Sequence, residues 1–137
     1  MSSLYIIDGH AQFFRAYYAI RTPMSSPATG EPTNMVYGFT SMLLKLIREE
    51  NPDYLAVVID VAGDDESFRT EIDPEYKANR EPPPDDFGSQ VDRCLEVLEA
   101  LQIPILGEPV VEADDVIATL VKRLRKDEPE LDIRIIS

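Results

Sequence analysis

The chain has 137 residues, of which 44% are hydrophobic and 28% charged, a composition that fits one globular domain and excludes a disordered or coiled-coil chain. Its 26 acidic and 13 basic side chains give a net charge of −13, the wrong sign for a nucleic-acid binder that relies on a broad basic surface. A single cysteine excludes an internal disulfide and a zinc cluster, and no apolar run is long enough to span a membrane. No signal peptide is visible, so the cytoplasm is the expected location.

The first half of the chain predicts one strand and two helices. Leu4–Asp8 is an apolar run that ends in an acid and precedes a glycine, which is typical of a buried strand and a turn. Ala11–Ile20 is predicted to form a helix, and Arg21–Pro32, rich in proline and glycine, a loop. Thr33 or Asn34 can cap the next helix. Its apolar stripe has amphipathic spacing and comprises Met35, Val36, Phe39, Met42, Leu43, Leu46 and Ile47.

The second half continues the alternation of strands and helices. Tyr54–Asp60 is a nearly all-apolar strand, as expected in a parallel sheet that is covered on both faces. A third helix has Cys94, a predicted core residue, on the same stripe as Val91, Leu95, Leu98 and Leu101. A short strand at Ile103–Leu106, a helix at Ala113–Lys126 and a strand at Asp132–Ile136 follow. The pattern predicts an α/β fold with a mostly parallel sheet and helices on both faces.

Five carboxylates are predicted to meet at one edge of this sheet. Asp8 and Asp60 end two predicted strands, while Glu112, Asp114 and Asp115 lie where a strand's loop enters the following helix. In open α/β sheets, ligands bind outside the carboxyl ends of the strands. Each acid alone has a structural interpretation as a turn former or as a partner of a helix dipole. Together they favour a site for a divalent cation, which would relieve their mutual repulsion.

Oxygen-only ligands suit Mg²⁺ or Mn²⁺ better than zinc. A pair of such ions serves phosphodiester hydrolysis, because the ions activate a water and stabilise the leaving oxygen. The sequence contains neither a GxxxxGK[ST] loop nor a GxGxxG motif after the first strand, which argues against two other phosphate-binding devices.

Positive charge in the middle segment could hold phosphates. Arg69, Lys77 and Arg80 lie close together in the sequence, and Tyr76 beside them could stack on a base. The alternative is a solvated loop, because a few basic residues among many acids usually have no further role.

Six sequence blocks resemble the bacterial 5′ nuclease family, which includes the 5′–3′ exonuclease domain of DNA polymerase I, phage exonucleases and flap endonucleases. They occur in the family's order along essentially the whole chain: IIDG at 6–9, FFRAYYA at 13–19, VYGFTSMLLKLI at 36–47, the strand ending in Asp60, SFRTEIDPEYKANR at 67–80 and EADDVIATL at 112–120. The likeness is greatest to the polymerase I domain.

The resemblance implies a PIN-like nuclease fold that uses two divalent ions, Mg²⁺ or Mn²⁺, to hydrolyse DNA at 5′ ends and flaps in replication and repair. It implies that the five acids, Asp8, Asp60, Glu112, Asp114 and Asp115, are catalytic and bind the metal. Lys77 and Arg80 match the basic residues at the base of the family's arch. The arch, through which a single-stranded 5′ end passes, would here be the segment from about Tyr76 to Gln90. The remaining residues expected to contact DNA are Arg15, Arg69 and Tyr76.

The family continues beyond the strand that starts at Asp132 with further metal-binding acids and a helix-hairpin-helix unit. Residues 1–137 are therefore expected to be the N-terminal part of the nuclease domain, whose partners would be DNA with a 5′ end or flap, the rest of that domain and a polymerase domain, and no membrane. Whether this chain is itself an enzyme is left open. The alternative is a catalytically inactive fragment that acts at most as a DNA- or protein-binding module.

Overall fold

A computed structural model describes residues 2–20, 22–60, 86–108 and 111–137. Within these residues the chain forms two units. The sheet unit comprises residues 2–9, 52–60, 104–108 and 111–137, and the helical unit comprises residues 10–20, 22–51 and 86–103. None of the helices that the structure describes combines the length and hydropathy of a membrane-spanning segment.

The regular elements alternate along the chain as the sequence predicts. In order they are β1 (Ser3–Asp8), α1 (Gly9–Ala19), α2 (Asn34–Glu50), β2 (Tyr54–Val58), α3 (Phe87–Ala100), β3 (Ile105–Leu106), α4 (Ala113–Asp127) and β4 (Asp132–Ile136). The four strands form one parallel sheet in the order β3-β2-β1-β4. The predicted α/β fold with a parallel sheet is confirmed.

Two predicted strands are shorter in the structure. β2 ends at Val58, so Asp60 lies two residues beyond the strand and not at its last position. β3 begins at Ile105 because Ile103 belongs to the end of α3: its N–H donates to the carbonyl of Leu98 at 2.9 Å, and Gln102 before it is left-handed, with φ 59°. This is the Schellman arrangement that closes many helices.

The core of the sheet unit lies between α4 and one face of β1 and β2. Leu4, Ile6 and Val58 from the strands pack against Ala113 and Ile117 from the first turns of α4. Side chains alternate across a strand, and β1 is nonetheless buried from Leu4 through Ile7, so both of its faces are shielded from solvent. This burial explains why β1 reads as an uninterrupted apolar run.

Gly9 lets the chain turn from β1 into α1 directly against the end of β2. A Cβ at this position would lie 2.9 Å from Cγ2 of Ile59, 3.0 Å from Cγ1 of Val57 and 3.0 Å from the carbonyl oxygen of Val58. Contacts this short need the strand to shift. The glycine after Asp8 is therefore required by the close approach of β2.

We expect Gly9→Ala to lower the free energy of unfolding by about 1–3 kcal/mol, the usual cost of overpacking. Gly88, in the first turn of α3, is the matched control, because an added Cβ there meets no atom within 4 Å. Gly88→Ala should be neutral or stabilising by up to ~1 kcal/mol, since alanine is the better helix former. Urea denaturation of both variants measures the difference, and equal effects would contradict the packing argument.

The helical unit is built from α1, α2 and α3 around buried aromatic and aliphatic side chains. The rings of Phe13 and Phe39 meet edge to face with centroids 5.0 Å apart, and Gly38 of α2 packs against the backbone of Ala16. Cys94 is fully buried, and burial raises the pKa of its thiol to about 12. The prediction of Cys94 as a core residue is confirmed.

A buried glutamine joins α3 to the start of α2. Oε1 of Gln90 accepts the N–H of Met35 at 2.8 Å and that of Val36 at 3.4 Å, and its Nε2 donates to Oδ1 of Asn34 at 2.8 Å. Thr33, the residue at the cap position of α2, makes no side-chain capping bond. The cap of α2 thus comes from another helix, and Asn34, predicted as a possible cap, instead donates to the carbonyl of Tyr17 at 2.9 Å.

A second bond joins α1 to the residue before α3. The hydroxyl of Tyr17 donates to Oδ1 of Asp86 at 2.6 Å. This hydrogen bond, with burial and the negative charge of Asp86 adding to it, raises the pKa of Tyr17 to about 12. The folded state therefore holds the phenolic proton more tightly than the unfolded chain, whose tyrosines titrate near 10.

We expect the bond from Tyr17 to appear as a pH dependence of stability. Because the folded pKa is raised, its contribution is fully present below about pH 10 and is lost as the pH rises to about 12. Tyr17→Phe should lower the free energy of unfolding by about 1–2 kcal/mol at pH 8, and by less at pH 12. Urea titrations of both proteins across this range measure the difference, and a gap that is constant with pH would refute the assignment.

Candidate active site

Acidic side chains from three segments lie at the carboxyl ends of the strands in the sheet unit. Asp8 is the last residue of β1 and is paired in register with Val58, the last residue of β2. Asp60 lies two residues after the end of β2. The N–H of Ile59, the residue between Val58 and Asp60, still donates to the carbonyl of Leu106 at 2.9 Å. Parallel pairing thus brings Asp8 and Asp60 to the same edge of the sheet, as the sequence predicts.

The start of α4 supplies the other three acids. Glu112 holds the cap position with only 6% of its surface exposed, while Asp114 and Asp115 lie in the first turn. Oδ1 of Asp60 accepts the backbone N–H of Ala113 at 2.6 Å. This bond fixes the loop after β2 to the beginning of α4. Negative charge in the first turn is also favourable toward the helix dipole.

Asp8 and Asp114 open onto one groove of about 590 Å³ within the sheet unit. Its floor and walls are formed by α4 and by the end of β4, namely Ile117, Ala118, Val121, Lys122, Arg125, Ile135 and Ser137. The groove is therefore acidic at one end and basic at the other, with an apolar floor between them.

Sequence reasoning did not single out Lys122 and Arg125, which line the basic end of the groove. The signal was present, because Asp114, Ala118, Lys122 and Arg125 follow one another at spacings of three or four residues and so share one face of a helix. Neither cation forms an ion pair with another residue in the part of the chain that the structure describes.

The structure brings some of the five acids together but does not form a finished metal site from them. Among residues 2–20, 22–60, 86–108 and 111–137, no three His, Cys, Asp or Glu side chains are grouped so that they could hold a metal ion. Asp8 and Asp114 share the groove, and Asp60 reaches the residue between Glu112 and Asp114. The assignment of all five acids to metal ions stays a prediction.

Most of the residues predicted to contact DNA lie in a segment that the structure does not describe. Arg69, Tyr76, Lys77 and Arg80 lie outside the described residues. Arg15 is exposed on α1 in the helical unit. Of the predicted arch, Tyr76–Gln90, only the last residues are described, and these form the first turn of α3 and the residue before it.

Comparison with known proteins agrees with this architecture. Residues 3–137 match the family described as the 5′-3′ exonuclease, N-terminal resolvase-like domain. The chain is 45% identical over 125 residues to DNA polymerase I of Mycobacterium tuberculosis and 41% identical over 123 residues to a 5′-3′ exonuclease of Aquifex aeolicus. These alignments cover 91% and 90% of the chain, but it spans only 14% and 41% of the two relatives.

A solved structure shares the fold. The chain superimposes on a bacteriophage T5 flap endonuclease, crystallised with DNA and metal ions, with a TM-score of 0.66 over 96% of this chain and 47% of the phage protein. The sequence identity of 22% makes this a likeness of fold. The fold is thus that of the PIN-like nucleases, and the chain belongs to the family of 5′-3′ exonuclease N-terminal domains.

Proposed function

We propose that the chain is part of a metal-dependent nuclease that hydrolyses DNA phosphodiesters at 5′ ends and 5′ flaps during replication and repair in the cytoplasm. One structural observation carries the proposal: carboxylates from the end of β1 and the start of α4, Asp8 and Asp114, face one groove. Membership of the exonuclease family supports the nuclease chemistry.

The donor set fits a hard divalent cation. Asp8, Asp60, Glu112, Asp114 and Asp115 offer only carboxylate oxygens, which Mg²⁺ and Mn²⁺ prefer, and we propose that they hold two such ions in the complete domain. Bound there, the ions would supply positive charge that stabilises the oxygens of the phosphate as its bond breaks. The solved phage relative contains metal ions, which supports this part of the proposal.

The other residues are proposed to guide the DNA. Lys77 and Arg80 would hold phosphates beside the acids, while Arg69, Tyr76 and Arg15 would line the path of the strand, and Tyr76–Gln90 would form the arch. The partners follow from the relatives, which are DNA polymerases, an exonuclease and a flap endonuclease crystallised with DNA. We propose a 5′ end or flap of DNA, the rest of the nuclease domain and a polymerase domain.

A labelled 5′-flap DNA tests the proposal. We expect short products released from the 5′ end when Mg²⁺ or Mn²⁺ is present, and none with EDTA. A chain that neither cleaves this DNA nor binds Mg²⁺ at millimolar concentration would contradict the proposal. Binding of Mg²⁺ without cleavage would instead support the alternative, a catalytically inactive fragment that acts at most as a DNA- or protein-binding module.

A further inference from the structure

The N-terminus of α4 depends on a partner from outside the helix. The first N–H groups of any helix have no carbonyl within the helix to bind, and a side chain at the cap position usually satisfies one of them. Glu112 holds that position in α4, with extended backbone at φ −70° and ψ 154°, but its side chain makes no capping bond. Its carbonyl accepts the N–H groups of Asp115 and Val116, both at 3.1 Å.

Asp60 takes over the capping of the first helical residue. Its Oδ1 lies 2.6 Å from the nitrogen of Ala113, the short distance of a hydrogen bond to a charged acceptor. Ala113 is only 3% exposed, so its N–H has little access to water as a replacement. Losing the acceptor would therefore leave a buried donor unsatisfied.

The bond fixes the acidic segment to the sheet. Asp60 is held near the end of β2 because Ile59 before it donates to Leu106 of β3. Ala113 lies between Glu112 and Asp114, two of the acids proposed to bind metal. One hydrogen bond, from the N–H of Ala113 to Asp60, thus fixes the position of those two carboxylates relative to the edge of the sheet.

We propose that Asp60 is a positioning residue: it caps α4 from a distance and thereby holds Glu112 and Asp114 in place for a divalent cation. The role of the metal in this inference rests on the proposed function. The capping role is additional to the role proposed above for Asp60 as a ligand of the metal. The capping itself exists without metal, so the two can be tested apart.

Amide hydrogen exchange at Ala113, measured on the full chain in EDTA, tests the cap. Asp60→Ala should accelerate this exchange roughly tenfold, the equivalent of ~1.4 kcal/mol and a typical value for a lost cap. Asp60→Asn keeps an oxygen acceptor and should stay within about threefold of the wild type. Asp8→Ala removes an acid from the same edge of the sheet without touching the cap and should leave the exchange unchanged.

Ala113→Pro tests the link from the cap to the metal. Proline is favoured at the first helical position and Glu112 before it already has the extended backbone that proline requires, so α4 should persist. The proline ring takes the place of the hydrogen that Asp60 accepts, so the bond is lost and the Asp60 carboxylate must move away. All five acids remain, yet we expect Mg²⁺ affinity, measured by calorimetry, to fall about tenfold, as when a residue that orients a metal ligand is lost.

The outcomes separate the inference from the proposed function. Unchanged exchange at Ala113 in Asp60→Ala, or exchange in Asp60→Asn as fast as in Asp60→Ala, would overturn the cap. If Asp60→Ala does not fold, exchange at Ala113 in the wild type as fast as in an unstructured peptide would overturn it instead. Full Mg²⁺ affinity in Ala113→Pro would overturn the link to the metal. The proposed function fails on different evidence, namely Mg²⁺ affinity or cleavage that is indifferent to Asp8→Ala.

Discussion

Replacing Asp8 by alanine is expected to weaken Mg²⁺ binding at least tenfold and to reduce metal-dependent cleavage of a 5′-flap DNA by at least a hundredfold. Residues that merely orient a metal ligand contribute roughly 10–100-fold in other proteins, so a direct ligand should contribute no less. Asp8 ends β1 and opens onto the groove that Asp114 also lines. We expect Asp114→Ala to have a comparable effect, because it removes the second carboxylate of the same groove.

The control must lose one negative charge in the same unit without touching the groove. Asp127 fits, because it is the last residue of α4, whereas Asp114 lies in the first turn, and it does not line the groove. Asp127→Ala should therefore bind Mg²⁺ like the wild type. Calorimetry and a flap-cleavage assay compare the three variants, with urea denaturation in EDTA to confirm that each is folded. Mg²⁺ affinity that is the same in Asp8→Ala and Asp127→Ala would remove the basis of the proposed site.

The parts of the fold that the sequence predicts are those that depend on local pattern. Asp132–Ile136 was predicted with its observed bounds, and β1 was evident from its apolar run, because burial on both faces leaves a continuous hydrophobic signature. The start of β3 was misplaced because Ile103 is apolar for a different reason: it is buried in the turn that closes α3. Periodicity reports that a residue is buried, but not which element buries it.

The candidate site shows the same division. The strand ends predict that Asp8 and Asp60 reach one edge of the sheet, because parallel strands must end on the same side. That Asp60 accepts the N–H of Ala113 has no local signal, since 53 positions separate the two residues and only tertiary packing brings them together. Gln90 is a similar case, because its buried side chain accepts a backbone N–H of α2 and not one of its own helix.

Replacing Gln90 by methionine is expected to lower the free energy of unfolding by about 3 kcal/mol. Methionine has a similar length and shape, so the cavity term should be small and the loss should come from hydrogen bonding. The N–H of Met35, a fully buried residue, would lose its acceptor, at roughly 1–3 kcal/mol for a buried group left unsatisfied. The part-buried Oδ1 of Asn34 would also lose its donor, at a smaller cost because water can reach it in part. Because α2 has no other side-chain cap, its first turn should also fray.

Gln12 provides the matched control. It is a buried glutamine in the same helical unit, 4% exposed, but its Nε2 has no hydrogen-bond partner among the described residues. Gln12→Met therefore removes an unsatisfied polar group without stranding a donor or acceptor elsewhere, and should leave the free energy of unfolding unchanged or raise it by up to about 3 kcal/mol. Urea denaturation of both variants at neutral pH gives the comparison. If Gln90→Met and Gln12→Met change the free energy of unfolding by the same amount, the hydrogen bonds from Gln90 to the start of α2 contribute nothing to stability.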